Sequence, residues 1–172
     1  NSSIGFDWGL GTAYRALGKI AQMQGQHEQA VVMFRKSLDI FSQLGGSWFV
    51  ARVLAEMGVS LLTLEDEAEA GRVWRESLSI ATDIHGTPVA LDALAGFASL
   101  QAKQGDKEHA LELLVLVLNH PASLQVTKYR AMALQAELEA QISPTEMETI
   151  QAHAKGKSYE QIVKDLLIQQ SV

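Results

Sequence analysis

A chain of 172 residues that is 47% apolar and 20% charged carries enough apolar material for a substantial buried core. Its formal charge of −6 and pI near 5.3, without any Lys or Arg run, argue against a dedicated nucleic-acid surface, which would show a basic stripe. The absence of cysteine excludes disulfides and thiolate metal sites and fits a reducing compartment, so the cytoplasm is the expected location. The longest aliphatic run, Leu113 to Leu118, is far below the roughly 20 apolar residues that span a bilayer, and no signal peptide is expected in the first residues.

In chain order, apolar residues at Tyr14, Leu17 and Ala21, then at Ala30, Phe34 and Leu38, fall at helical spacing. They predict a hairpin of two amphipathic helices that turns at Gly25-Gln26. Forty residues on, Gly25, Ala30, Phe34 and Leu38 return as Glu65, Ala70, Trp74 and Leu78, and again as Gly105, Ala110, Leu114 and Leu118. The same offset relates Trp8 to Trp48, Gly18 to Gly58 and Ala98, and Leu17 to Met57 and Phe97. A fixed period in this range signals a solenoid. Hairpins are therefore expected over 4–43, 44–83 and 84–121, within one domain covering 1–172. Asp66 and Asp106 are placed to cap the second helix of their hairpins, and Gly45-Gly46 and Gly86-Thr87-Pro88 to separate successive hairpins. Ile4-Gly5 matches the hairpin-closing Leu44-Gly45, so the chain reads as a fragment of a larger protein.

After Pro121 the period fades. A long helix from Leu124 to Ile142 is expected to pack on the third hairpin, with two shorter closing helices completing 122–172. Ser143-Pro144-Thr145-Glu146 spells a capping box with Pro at the first helical position, and Ser158-Tyr159-Glu160-Gln161 repeats the device.

Small residues at Gly18, Gly58 and Ala98, Ala at 30, 70 and 110, and a large residue at Phe34, Trp74 and Leu114 together resemble the tetratricopeptide repeat. The resemblance implies an all-α, right-handed superhelix of antiparallel hairpins. The period is longer than is usual in that family, Glu65 stands where Gly is usual, and Leu114 where an aromatic is usual. A narrower likeness lies in Gly45-Gly46-Ser47-Trp48, in Ala136-Glu137-Leu138-Glu139-Ala140-Gln141-Ile142-Ser143-Pro144, and in the segment from Tyr159 to Leu167. These are similar to the C-terminal repeat region of bacterial signal-transduction ATPases and transcriptional regulators of the STAND class. That likeness implies a sensor or regulatory arm that binds an inducer or a protein and controls a nucleotide-dependent switch elsewhere.

In tetratricopeptide arrays the first helix of each hairpin lines the concave face. Carried onto this register, the resemblance implies partner contacts at Arg15, Lys19 and Gln22, at Arg52, Glu56 and Val59, and at Asp92, Ser99 and Lys103, with Arg15, Lys19 and Arg52 as the main patch. A subset of the family clamps chain termini with Lys, Arg and Asn; the Asn residues are missing here, so recognition of a free C-terminus is not expected. Trp8 and Trp48 admit two readings, ligand stacking along one edge or a wedge between neighbouring repeats, and burial is the expectation.

The segment from Ser143 to Leu166 also resembles the first half of a LuxR-type helix-turn-helix, but DNA reading needs a following recognition helix. A capping helix pair is expected instead. Gly156-Lys157-Ser158 is similar to the end of a phosphate-binding loop, yet Gln151 stands where the earlier Gly is required and no strand precedes it, so it reads as an interhelical turn. His27, His85, His109, His120 and His153 never fall at a helical i, i+4 spacing with one another, so no metal site is expected and each is placed at the surface or in a turn. No catalytic residue and no cofactor is expected. The reading is non-catalytic recognition of a protein, peptide or small inducer, with no membrane or direct nucleic-acid partner. The alternatives are architectural self-association as a homodimer, or part of a DNA-binding transcriptional regulator.

Overall fold

The structure, a computed structural model, describes residues 2–168, and every regular element among them is an α-helix. The helices fall into two compact units that divide between Gly86 and Thr87. The first unit holds α1 (Ser2–Met23), α2 (His27–Gln43), α3 (Ser47–Thr63) and α4 (Glu67–Asp83). The second holds α5 (Thr87–Lys103), α6 (Lys107–Asn119), α7 (Gln125–Glu139), α8 (Pro144–Lys155) and α9 (Tyr159–Ile168).

In the first unit each helix packs on the next: α1 on α2, α2 on α3, and α3 on α4. Glycine brings the paired backbones together. A Cβ on Gly18 would lie 2.7 Å from the Phe34 ring, and one on Gly58 would overlap the Trp74 indole. Phe34 and Trp74 are wholly buried as a result. One polar contact recurs in both hairpins: Ser37 Oγ donates to Gly11 O at 2.8 Å and Ser77 Oγ to Ala51 O at 2.7 Å. Trp74 Nε1 also donates to Ala55 O at 3.0 Å, so the largest core residue has its polar edge satisfied.

Five helices end in the same way. The residue after the last turn takes a left-handed conformation, at Gly25, Gly45, Glu65, His85 and Gly105. The next N–H then reaches back to a carbonyl in the final turn, from Gln26 to Ala21, Gly46 to Phe41, Asp66 to Leu61, Gly86 to Ala81 and Asp106 to Gln101. At the fourth of these ends the left-handed residue is His85, not the neighbouring Gly86. Asp66 and Asp106 cap α4 and α6 through the N–H groups of Glu69 and His109.

In the second unit α5 packs on α6, α7 lies against both, and α8 lies against α6. Helix α6 stops at Asn119 because Pro121 holds His120 extended, at ψ 128°. Ser143 and Glu146 form the full capping box at the start of α8. At α9 only half of that device forms: Ser158 Oγ accepts the Gln161 N–H, while the Gln161 side chain bonds Asp165. Gly156-Lys157-Ser158 joins α8 to α9 as an interhelical turn.

Trp8 and Trp48 differ from the common burial expected of them. Trp8 is half-buried against Phe41 and Phe49, at centroid distances of 5.3 and 5.1 Å, and its ring lies over Gly46, where a Cβ would come within 2.8 Å. Phe49 stacks on Phe41 at 4.7 Å and fills the inner position, which leaves Trp48 facing outward with 39% of its surface exposed. Leu17 is 49% exposed, whereas its sequence equivalents Met57 and Phe97 are buried.

Candidate functional site

Residues 15, 19 and 22 share one face of α1, as 52, 56 and 59 share one face of α3, because each set follows the helical i, i+4, i+7 spacing. Within the first unit the structure joins five of these six into one network. Arg15 grips Glu56 with both ends of its guanidinium, Nε to Oε2 at 2.8 Å and Nη2 to Oε1 at 2.5 Å. Glu56 is therefore not an open groove residue as expected; only 7% of its surface is exposed, and it is held as a paired buried carboxylate. Such a bidentate pair is among the stronger charge-assisted contacts. Gln22 Nε2 donates to Glu56 O and Ser60 Oγ, and Lys19 Nζ donates to Gln22 Oε1 at 3.2 Å. His27 Nδ1 lies 3.3 Å from the same Ser60 hydroxyl.

Arg52 approaches the same carboxylate less closely, with Nε 3.6 Å from Glu56 Oε1, and its guanidinium lies 5.1 Å from the centre of the exposed Trp48 ring. Arg15 is committed to holding α1 on α3, whereas Arg52 and Lys19 keep more capacity for a ligand. Arg15 and Arg52 approach one carboxylate and Lys19 joins the network through Gln22, so the cluster carries three cationic side chains and one acid on a chain of net charge −6. Val59 is half-buried on the same helix.

The second unit does not gather its three expected residues. Asp92 Oδ1 accepts from Thr127 Oγ1 at 2.9 Å and from Arg130 Nη2 at 3.0 Å, so it fastens α7 to α5. Ser99 Oγ donates to Ala95 O of its own helix, and Lys103 sits exposed in the last turn of α5.

A scan of the chain against protein-family models finds no match, and a search of curated proteins finds none either. What the surface can do therefore rests on its own geometry.

A second polar cluster lies between α6 and α8. Glu112 is buried in α6, with Oε2 accepting from Lys157 Nζ at 2.9 Å and Oε1 lying 2.5 Å from His153 Nδ1. Glu108, one turn earlier on α6, brings a carboxylate oxygen to the same place. Helical spacing within one element could not reveal this group, because His153 and Lys157 come from a distant part of the sequence. The available signal is an acid set among Leu111, Leu113 and Leu114, a position where a charge needs a partner. Close by in sequence, His109 Nδ1 meets Asp106 Oδ2 at 2.7 Å.

Other groups are perturbed without forming a site. The Arg72 guanidinium on α4 donates to Glu69 and holds its carboxyl below the usual range, while the bonds to Glu69 and Glu76 raise Arg72 itself. Burial pushes the Tyr159 phenol up, with the Glu160 charge adding to the shift, beside a His120 ring 5.3 Å away.

Proposed function

We propose that this chain is a non-catalytic recognition module of tetratricopeptide type, with forty-residue helical hairpins wound into a right-handed superhelix. On this reading it serves as the sensor or regulatory arm of a larger bacterial signalling protein of the STAND class. The helix starts at His27, Glu67 and Lys107, and at Ser47 and Thr87, support the repeat length. The glycines beneath Phe34 and Trp74 support the family. The observation that carries recognition is the cluster on α1 and α3, in which Arg52 stands beside a carboxylate already gripped by Arg15, Lys19 is linked in through Gln22, and Trp48 faces outward next to Arg52. Exposed Trp and Arg side chains are enriched where protein interfaces gain their affinity.

Self-association is the second reading, and the exposed Leu17 and Ile20 on α1 favour it. A stable dimer needs an interface above roughly 1,000 Å². Light scattering of the purified chain across a concentration series separates the two. A monomer at every concentration supports the recognition arm. A dimer that Leu17→Asp dissociates replaces it with assembly.

A further inference from the structure

We propose that Glu108, Glu112 and His153 form a binding site for a divalent cation of the zinc type, built between α6 and α8. Each of the three offers one ligand atom, and these atoms all lie within 4.8 Å of one another. Glu108 and Glu112 stand one turn apart on the same face of α6, so the helix presents both carboxylates in one direction. His153 comes from α8, and His109 is engaged with Asp106, so His153 supplies the nitrogen.

The inner carboxylate gives the second, independent indication. Glu112 is only 3% exposed, and its Oε1 is buried without an aligned hydrogen bond although His153 Nδ1 stands 2.5 Å away. A buried carboxylate oxygen without such a bond is costly. A cation held by that oxygen and the His153 nitrogen removes the penalty. One imidazole with two carboxylates suits Zn²⁺, whereas Ca²⁺ and Mg²⁺ favour all-oxygen shells. Exposed Glu108 and His153 open the site to solvent and leave room for water as a fourth ligand.

Lys157 sets the level of affinity. Its Nζ bonds Glu112 Oε2 at 2.9 Å, so an incoming ion shares that carboxylate with an ammonium. Two carboxylates, Glu108 and Glu112, stand against this one lysine. Lys157 is thus a built-in competitor, and its removal should favour the metal.

The test is calorimetric titration of the full chain with ZnCl₂ in a buffer free of chelators, with CaCl₂ and MgCl₂ as controls. One saturable equivalent of Zn²⁺ is expected, with weaker uptake of the other two ions. His153→Ala alters a mostly exposed side chain and should weaken zinc binding at least tenfold while the thermal melt holds. Glu112→Gln should weaken it similarly, and Lys157→Met should strengthen it severalfold. The inference is overturned by absent saturable uptake, by uptake that His153→Ala leaves intact, or by uptake that Lys157→Met weakens. None of these outcomes bears on the recognition surface of the first unit, which the light-scattering experiment tests separately.

Discussion

Replacing Gly58 by Ala adds one methyl group where the structure has no room for it. The atoms it would meet are Cε2, Nε1 and Cδ1 of Trp74, the five-membered edge of an indole that is wholly buried. The ring cannot swing aside freely, because Nε1 is bonded to Ala55 O at 3.0 Å. Overpacking of this kind costs up to about 3 kcal/mol, and the better helix propensity of Ala returns about 1 kcal/mol, so a net loss of about 2 kcal/mol is expected. Trp74→Leu alone also destabilises, since it removes the indole and its hydrogen bond. In the double variant the methyl group enters the space the indole vacated, the combination that α5 and α6 carry as buried Ala98 and Leu114, and Gly58→Ala should then be close to neutral. The coupling energy between the two sites is therefore about 2 kcal/mol, far above the ~0.5 kcal/mol scatter of independent substitutions. Urea denaturation followed by far-ultraviolet circular dichroism of the parent, both single variants and the double variant measures it. Additive losses would refute the argument that Gly58 is small in order to admit this ring.

Two further outcomes follow from the polar contacts. Arg15→Ala removes the bidentate partner of a buried carboxylate and should cost about 2–3 kcal/mol, whereas Arg52→Gln, at a looser and more exposed contact, should cost about 0.5 kcal/mol in the same assay; similar losses would mean that Arg52 shares the structural role. At the start of α8, the Ser143 hydroxyl and then its backbone N–H hold the Glu146 carboxyl below its usual range. The cap therefore contributes its stability above the unfolded carboxyl value of about 4.3 and loses it as pH falls through the lower folded value. Carbon-detected NMR titration of Glu146 should show a midpoint below that of a free glutamate, and Ser143→Ala should bring it most of the way back.

The helices were legible because the features that define them are local. The turn at Gly25 and its equivalents, the Asp caps of α4 and α6 and the Ser143 box each lie within a few residues of sequence, and each has a conformational cause. The left-handed Glu65 could be read from its register opposite Gly25 and Gly105 even though its own side chain disfavours that conformation. His85 could not be anticipated in the same way, because the adjacent Gly86 offered the cheaper place for a left-handed residue.

Side-chain partners across helices are less legible, since helical periodicity gives a face but not what lies opposite it. Position 56 falls on the face that an array would turn toward its ligand, yet Arg15 reaches across from α1 and converts Glu56 into a buried tie. Asp92 is taken in the same manner by Thr127 and Arg130 of α7. In both cases a carboxylate that could have repelled or recruited a partner is spent on joining helices, so the charges left for recognition in the first unit are mostly the cations. The same logic locates Glu112: an acid inside an apolar stretch requires polar partners, and the chain supplies them from residues that sequence spacing alone could not join to it. Lys157 meets one oxygen with a hydrogen bond and His153 stands at the other without one, so the pair of contacts is unequal. That inequality separates Glu112 from Glu56, whose two oxygens are both satisfied by Arg15, and it is why the cation site is inferred at α6 and α8 rather than on the surface of α1 and α3.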